Sequence, residues 1–141
     1  MQTDEQLRDR DRLKSYIQRE QLASVMNDTK WRRLIELLAA YKGGCQFRRR
    51  SVRDSDTRES AWDPDFFHVF GGLEDIEWVE IDARVEIHRG QLINPRVEDR
   101  NLELRDALIE ARIPFSIEEG VTRVWGYTRP GRSPDWQMKK A

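Results

Sequence analysis

Only one of the 141 residues is a cysteine, Cys45, and only two are histidines, His68 and His88. A lone thiol closes no internal disulfide and fits a reducing compartment, so the expected location is the cytoplasm. Two histidines are too few for a rich metal site. His68 lies in the same region as Asp63, Asp65 and Glu74, but at no recognised ligand spacing, so no metal is expected. Nothing in the sequence around Cys45 marks an activated nucleophile, and a small buried thiol is the better reading. A Gly-rich phosphate loop and a Gly-x-Ser-x-Gly elbow are both missing. Glu77, Glu80 and Glu86 offer paired carboxylates, but on what reads as an exposed strand face, where nothing tunes a pKa. The expectation is a protein that is not an enzyme and uses no cofactor.

Long apolar runs are missing too. None approaches the ~18 residues of a membrane span, and the start, Met-Gln-Thr-Asp-Glu-Gln, lacks the basic-then-apolar pattern of a secretory signal. A net charge of −1 predicts no bulk attraction to nucleic acid or membrane, although 36% of residues are charged. The length suits one domain with a real core. No internal repeat or low-complexity block occurs.

What is present centres on Phe66 to Ile87. Val79, Ile81, Ala83, Val85 and Ile87 alternate with Glu80, Asp82, Arg84 and Glu86, which predicts a strand with one buried and one wet face. Before Val79 the phase flips at Ile76-Glu77-Trp78, the signature of a bulge or of a strand starting at Val79. Gly71-Gly72 is expected to turn this strand back onto Phe66-Phe67-His68-Val69-Phe70 as a hairpin. Glu74, Asp75, Glu77, Glu80 and Asp82 are acidic, with no Lys or Arg between Gly71 and Asp82. The stretch therefore reads either as a solvated face with edge-protecting charges or as an acidic patch for a basic partner.

Around it, residues 3–24 read as a solvated helical arm or, equally, as a poorly ordered extension. Asn27, Asp28 and Thr29 cap a second helix whose stripe is Trp31, Leu34, Ile35, Leu38 and Tyr41, ended by Gly43-Gly44. Cys45 to Val52 reads as a strand made basic by Arg48, Arg49 and Arg50, with Arg53 just beyond. These arginines form either a phosphate-binding edge or, the favoured reading, partners for the acidic hairpin or the lining of a solvated edge. Residues 51–60 read as a loop. Asn94-Pro95 is expected to open a third helix bearing Leu104, Ala107, Leu108 and Ala111. Phe115-Ser116-Ile117 and Val121 to Tyr127 form a closing hairpin turned at Glu119-Gly120. The fold class is α+β: a single domain with a mostly antiparallel sheet of about five strands and two helices on one face. The parts are an N-terminal helical arm (1–26), the α+β domain (27–128) and an irregular tail (129–141).

Four segments in this order resemble a small bacterial domain-of-unknown-function family, DUF6678: Asn27-Asp28-Thr29-Lys30-Trp31, Trp62-Asp63 with Phe66 to Phe70, Ile76-Glu77-Trp78-Val79-Glu80-Ile81, and Val124-Trp125-Gly126-Tyr127. The resemblance spans Asn27 to Tyr127. It departs at the Arg48–Arg50 run and the charged loop that follows. Small bacterial domains of this type resemble immunity proteins, which bind and neutralise a toxin domain. The resemblance therefore implies a cytoplasmic immunity protein that occludes a cognate toxin in a heterodimer. Its contact residues would be Glu74, Asp75, Glu77, Glu80 and Asp82, with Trp62 or Trp78 as the aromatic anchor. Two alternatives stand beside it. One is a non-catalytic regulatory or housekeeping module, homodimeric through the arm. The other is a nucleic-acid binder using Arg48, Arg49, Arg50 and Arg53 with Lys139-Lys140.

Overall fold

A computed structural model describes residues 3–41, 45–53, 62–64, 72–87 and 89–138. Phe66 to Phe70, Asp65, Gly43-Gly44, residues 54–60, His68, His88 and Lys139-Lys140 lie outside the described residues, and so do the readings that fall on them.

The chain starts with α1 (Asp4–Arg19). Thr3 and Gln6 form a reciprocal capping box that satisfies two otherwise orphaned N–H groups. The arm packs on the body. Leu13 and Leu22 are buried with Val52, and Tyr16, Ile17 and Tyr127 pack against them. Charged links add to this seam: Arg53 to Asp9 at 3.0 Å and Arg10 to Glu74 at 3.1 Å. After a short strand, β1 (Ala23–Ser24), comes α2 (Asp28–Ala39). Asn27 is its N-cap, its side chain accepting from the Lys30 N–H at 2.8 Å. The expected stripe is the buried one, with Trp31, Leu34 and Leu38 in the core and Ile35 and Tyr41 packed at its margin.

The main sheet has the order β2 (Gln46–Ser51), β3 (Ile76–Asp82), β7 (Val121–Trp125), β6 (Phe115–Glu118), antiparallel throughout. Its apolar face carries Phe47, Val79, Ile81, Val124 and Phe115. It meets Trp31, Leu34 and Leu38 of α2 and Leu104 and Leu108 of α3 (Asn101–Glu110). This is the α+β arrangement read from the pattern. The closing hairpin also forms as read, with Glu119 and Gly120 both left-handed at its turn (φ 51° and 82°).

Three expectations are corrected. First, β3 is an inner strand, lying between β2 and β7. Both of its faces are buried, so the alternating acids do not form a wet face. The phase flip is a bulge. Trp78 opposes Arg50 and Ile76 opposes Ser51, leaving Glu77 as the extra residue. That slip sends Ile76 into the core alongside Val79.

Second, the strand does not run unbroken to Ile87. Ala83 leaves the ladder because its N–H is taken by Asn101 Oδ1 and its carbonyl by the Arg100 N–H, each at 2.8 Å. The chain then continues as β4 (Arg84–Ile87), paired only with β5 (Arg96–Asp99) among the described residues.

Third, the third helix begins at Asn101, not at Pro95. Arg96–Asp99 has β4 to pair with and is extended, and Asp99 then accepts the Asn101 N–H at 2.9 Å as the helix starts. The tail docks: Gln137 donates its N–H to the Phe115 carbonyl at 2.9 Å, and Trp136 is half-buried. A last short strand, β8 (Tyr127–Thr128), pairs with β1.

Candidate functional site

The second face of the main sheet gathers most of the residues singled out from the sequence. Register places Arg48, Glu80, Arg123 and Ser116 in one row across all four strands. Arg50, Trp78 and Trp125 form the neighbouring row. Glu80 is only 1% exposed. It accepts from Arg48 Nε at 2.6 Å on one oxygen, and from Arg123 Nη2 and Nε at 3.0 and 3.2 Å on the other. Arg123 also lies over the rings of Trp78 (4.1 Å) and Trp125 (5.1 Å), while Arg48 lies over Trp62 (4.6 Å). Trp125 Nε1 donates to Ser116 Oγ at 2.8 Å, which in turn donates to Glu118 Oε1 at 2.9 Å. Every polar group in this row has a partner, which fixes its orientation.

Glu77, the bulged residue, is 5% exposed. It accepts from Arg129 Nε at 2.8 Å and faces Arg50 Nε at 3.5 Å. Arg129 also donates to the Val52 carbonyl at 3.2 Å. Arg48 and Arg50 of β2 thus face Glu80 and Glu77 of β3, one branch of the favoured reading of the arginines. Four guanidinium groups converge on two carboxylates, and Glu118 and Asp82 share the face by register, so it is aromatic and charge-balanced instead of acidic.

The two predicted tryptophans of this face differ in exposure, and the remaining predicted residues sit apart. Trp78 is 4% exposed and buried, whereas Trp62 is half-buried at the rim. Glu74 and Asp75 lie at the start of β3, within reach of Arg10 and Arg53 respectively. Asp82 lies at its far end, 3.5 Å from Arg84 and 3.1 Å from Asn101 Nδ2. The five acids therefore form no single patch. Arg49 donates to Ser51 Oγ at 3.0 Å, and Arg53 pairs with Asp9. That hydrogen bond holds the Asp9 carboxyl below its usual range and raises the Arg53 guanidinium. Arg123, Arg129, Trp125 and Ser116 were not singled out from the sequence. Arg123 at a polar position of an alternating strand was the available signal, but only the register shows which acid it meets.

Burial, and secondarily Asp82, pushes the Cys45 thiol up to about 11, which fits an inert buried thiol. Among the described residues, no group of three or more His, Cys, Asp or Glu could hold a metal ion. No described helix is long and apolar enough to cross a membrane. A concavity of about 670 Å³ lies between the end of α3 and the tail, walled by Val25, Ile109, Ile113, Pro114 and Trp136 with Arg112 beside them.

Comparison with known families matches residues 13–131 to the family of unknown function DUF6678, and the chain belongs to that family. The match begins at Leu13, the first residue of α1 buried against the body. No curated protein and no solved structure matches the chain.

Proposed function

We propose that this protein works by binding another protein, in the manner of an immunity protein that seats on a cognate toxin domain and occludes its active site. The observation that carries this reading is the cluster of Trp62, Arg48, Glu80, Arg123 and Trp125 on the second face of the sheet. Tryptophan and arginine dominate the energetics of protein interfaces, and they do so best when held rigid before the partner arrives. Here Glu80 holds two guanidinium groups in place, and three indole rings flank them. Arg48, Arg123, Trp62 and Trp125 all keep part of their surface accessible. With guanidinium and carboxylate groups balanced on this face, the accessible indole and guanidinium surfaces, not net charge, would carry the contact.

The test is capture from the native cell with the full chain as bait, beside Trp62→Ala. A single stoichiometric protein partner is expected, bound at least about tenfold more weakly by the variant, as for a truncated hot spot. Co-expression of this chain is then expected to relieve the growth defect that the partner causes. A partner bound equally by both chains, or one whose effect on growth is unchanged, would refute the reading.

A further inference from the structure

Each outer edge of the main sheet takes a backbone contact from another segment among the described residues. Outside β2, Phe47 and Asp63 exchange backbone hydrogen bonds at 2.9 and 2.8 Å. Outside β6, the Gln137 N–H reaches the Phe115 carbonyl. An uncovered edge is a template for another strand, and proteins usually cover or blunt it. The β4–β5 ladder is left as two strands. Among the described residues no other segment hydrogen-bonds to the backbone of Arg96 to Asp99 beyond β4. Exposed apolar side chains lie on this ladder and next to it in the sequence: Val97 on β5 is 58% exposed, Leu92, at the turn, 100%, and Leu102, the second residue of α3, 67%. The turn is held in shape by Arg89, which donates to the Asn94 carbonyl at 3.1 Å.

Symmetry limits how this edge can meet a copy of itself. Along an antiparallel ladder, hydrogen-bonded and non-hydrogen-bonded pairs alternate. A two-fold axis perpendicular to the sheet makes mirrored pairs equivalent, so opposed residue numbers must add to an even number. An odd sum would force two adjacent pairs to be the same kind. Two centres remain within the strand core. Centring on Glu98 opposes two carboxylates and sets Arg96 against a cation, Arg100. Centring on Val97 opposes two apolar side chains and sets Arg96 against Glu98 in both halves. Only the second is free of like-charge opposition.

We infer that β5 is the seam of a homodimer, in which a second copy of this chain adds its own β5 antiparallel across Val97. The two ladders then become one four-stranded ribbon, and the contact is isologous. The residues are available for it. No ion pair of Arg96 is present among the described residues, and Glu98, paired with Arg100 at 3.4 Å through one oxygen, keeps 39% of its side chain exposed. β4 repeats the spacing at Arg84 and Glu86, and a seam there would be indifferent to changes at Arg96 and Glu98. A net charge of −1 gives the two copies little mutual repulsion. This seam uses none of the residues of the tryptophan–arginine face.

The test is sedimentation of the full chain from about 1 μM to about 1 mM. The wild type is expected to show a monomer–dimer equilibrium. Arg96→Glu opposes two carboxylates and is expected to raise the dissociation constant at least about tenfold; Glu98→Arg opposes two cations and should do the same. The double variant Arg96→Glu with Glu98→Arg restores the pairs with their signs exchanged and should return to within about threefold of wild type. All three positions of the seam are surface positions, and circular dichroism would verify that each variant is folded. A wild type that sediments as a 16.8 kDa monomer throughout overturns the inference. So does a dimer indifferent to both single variants, which would move the seam elsewhere.

Discussion

Replacing Glu80 by alanine isolates the polar row from the rest of the fold. The carboxylate is 1% exposed and takes three hydrogen bonds from two guanidinium groups. Breaking a buried ion pair by removing one partner typically costs about 3–5 kcal/mol, because the remaining charge is left without compensation. Arg48 and Arg123 keep 28% and 19% of their side-chain surface in solvent, so water can recover part of that loss. The expected destabilisation is therefore about 3 kcal/mol, the low end of the range. Urea unfolding followed by tryptophan fluorescence would read it as a lower midpoint with an unchanged slope. Replacing Arg48, Glu80 and Arg123 together by Met, Leu and Met removes the charges as a set and should cost less than Glu80→Ala alone. A loss below about 1 kcal/mol for the single variant would refute the reasoning, since exposed pairs are worth that little. A triple variant worse than the single would also refute it.

Other outcomes follow from the same structure. Gly126→Ala would set a Cβ 2.1 Å from the Ile76 carbonyl oxygen and 3.2 Å from Trp31, so a loss of about 3 kcal/mol or more in calorimetry is expected. Gly120→Ala meets nothing within 4 Å, and with φ at +82° it should cost only about 1 kcal/mol. Cys45 should resist alkylation at pH 8 in the native state and react once urea unfolds the chain, as followed by mass spectrometry. Its raised pKa also means the unfolded thiol loses its proton first. Stability should therefore fall as pH rises from about 9 towards about 11, and Cys45→Ala should flatten that slope in pH-dependent unfolding. Leu13→Ala removes the buried contact of α1 and should cost about 2 kcal/mol, with faster amide exchange concentrated in residues 4–19.

The sequence made the apolar half of this fold legible because periodicity reports which side of an element is buried. Trp31, Leu34 and Leu38, the Glu119-Gly120 turn and the bulge before Val79 could all be read this way. It was silent on pairing. Glu80 and Asp82 look alike in an alternating strand, yet one meets two arginines from neighbouring strands and the other lies near the start of α3. Burial of a carboxylate depends on partners 32 and 43 residues away, and no local pattern encodes that distance. Asn94-Pro95 misled for a related reason. The dipeptide is compatible with a helix start, but a waiting strand, β4, captured the residues after it.

The docked tail has a practical consequence for handling the protein. Gln137 is the segment that hydrogen-bonds to the outer side of β6, and Trp136 walls the apolar cleft beside Ile113 and Pro114. A chain shortened before Asp135 would lay open a strand margin and an oily hollow side by side. Such a surface is sticky. Shortened versions should precipitate where the full chain stays in solution, and affinity handles belong at the front of the chain, ahead of the Thr3 cap.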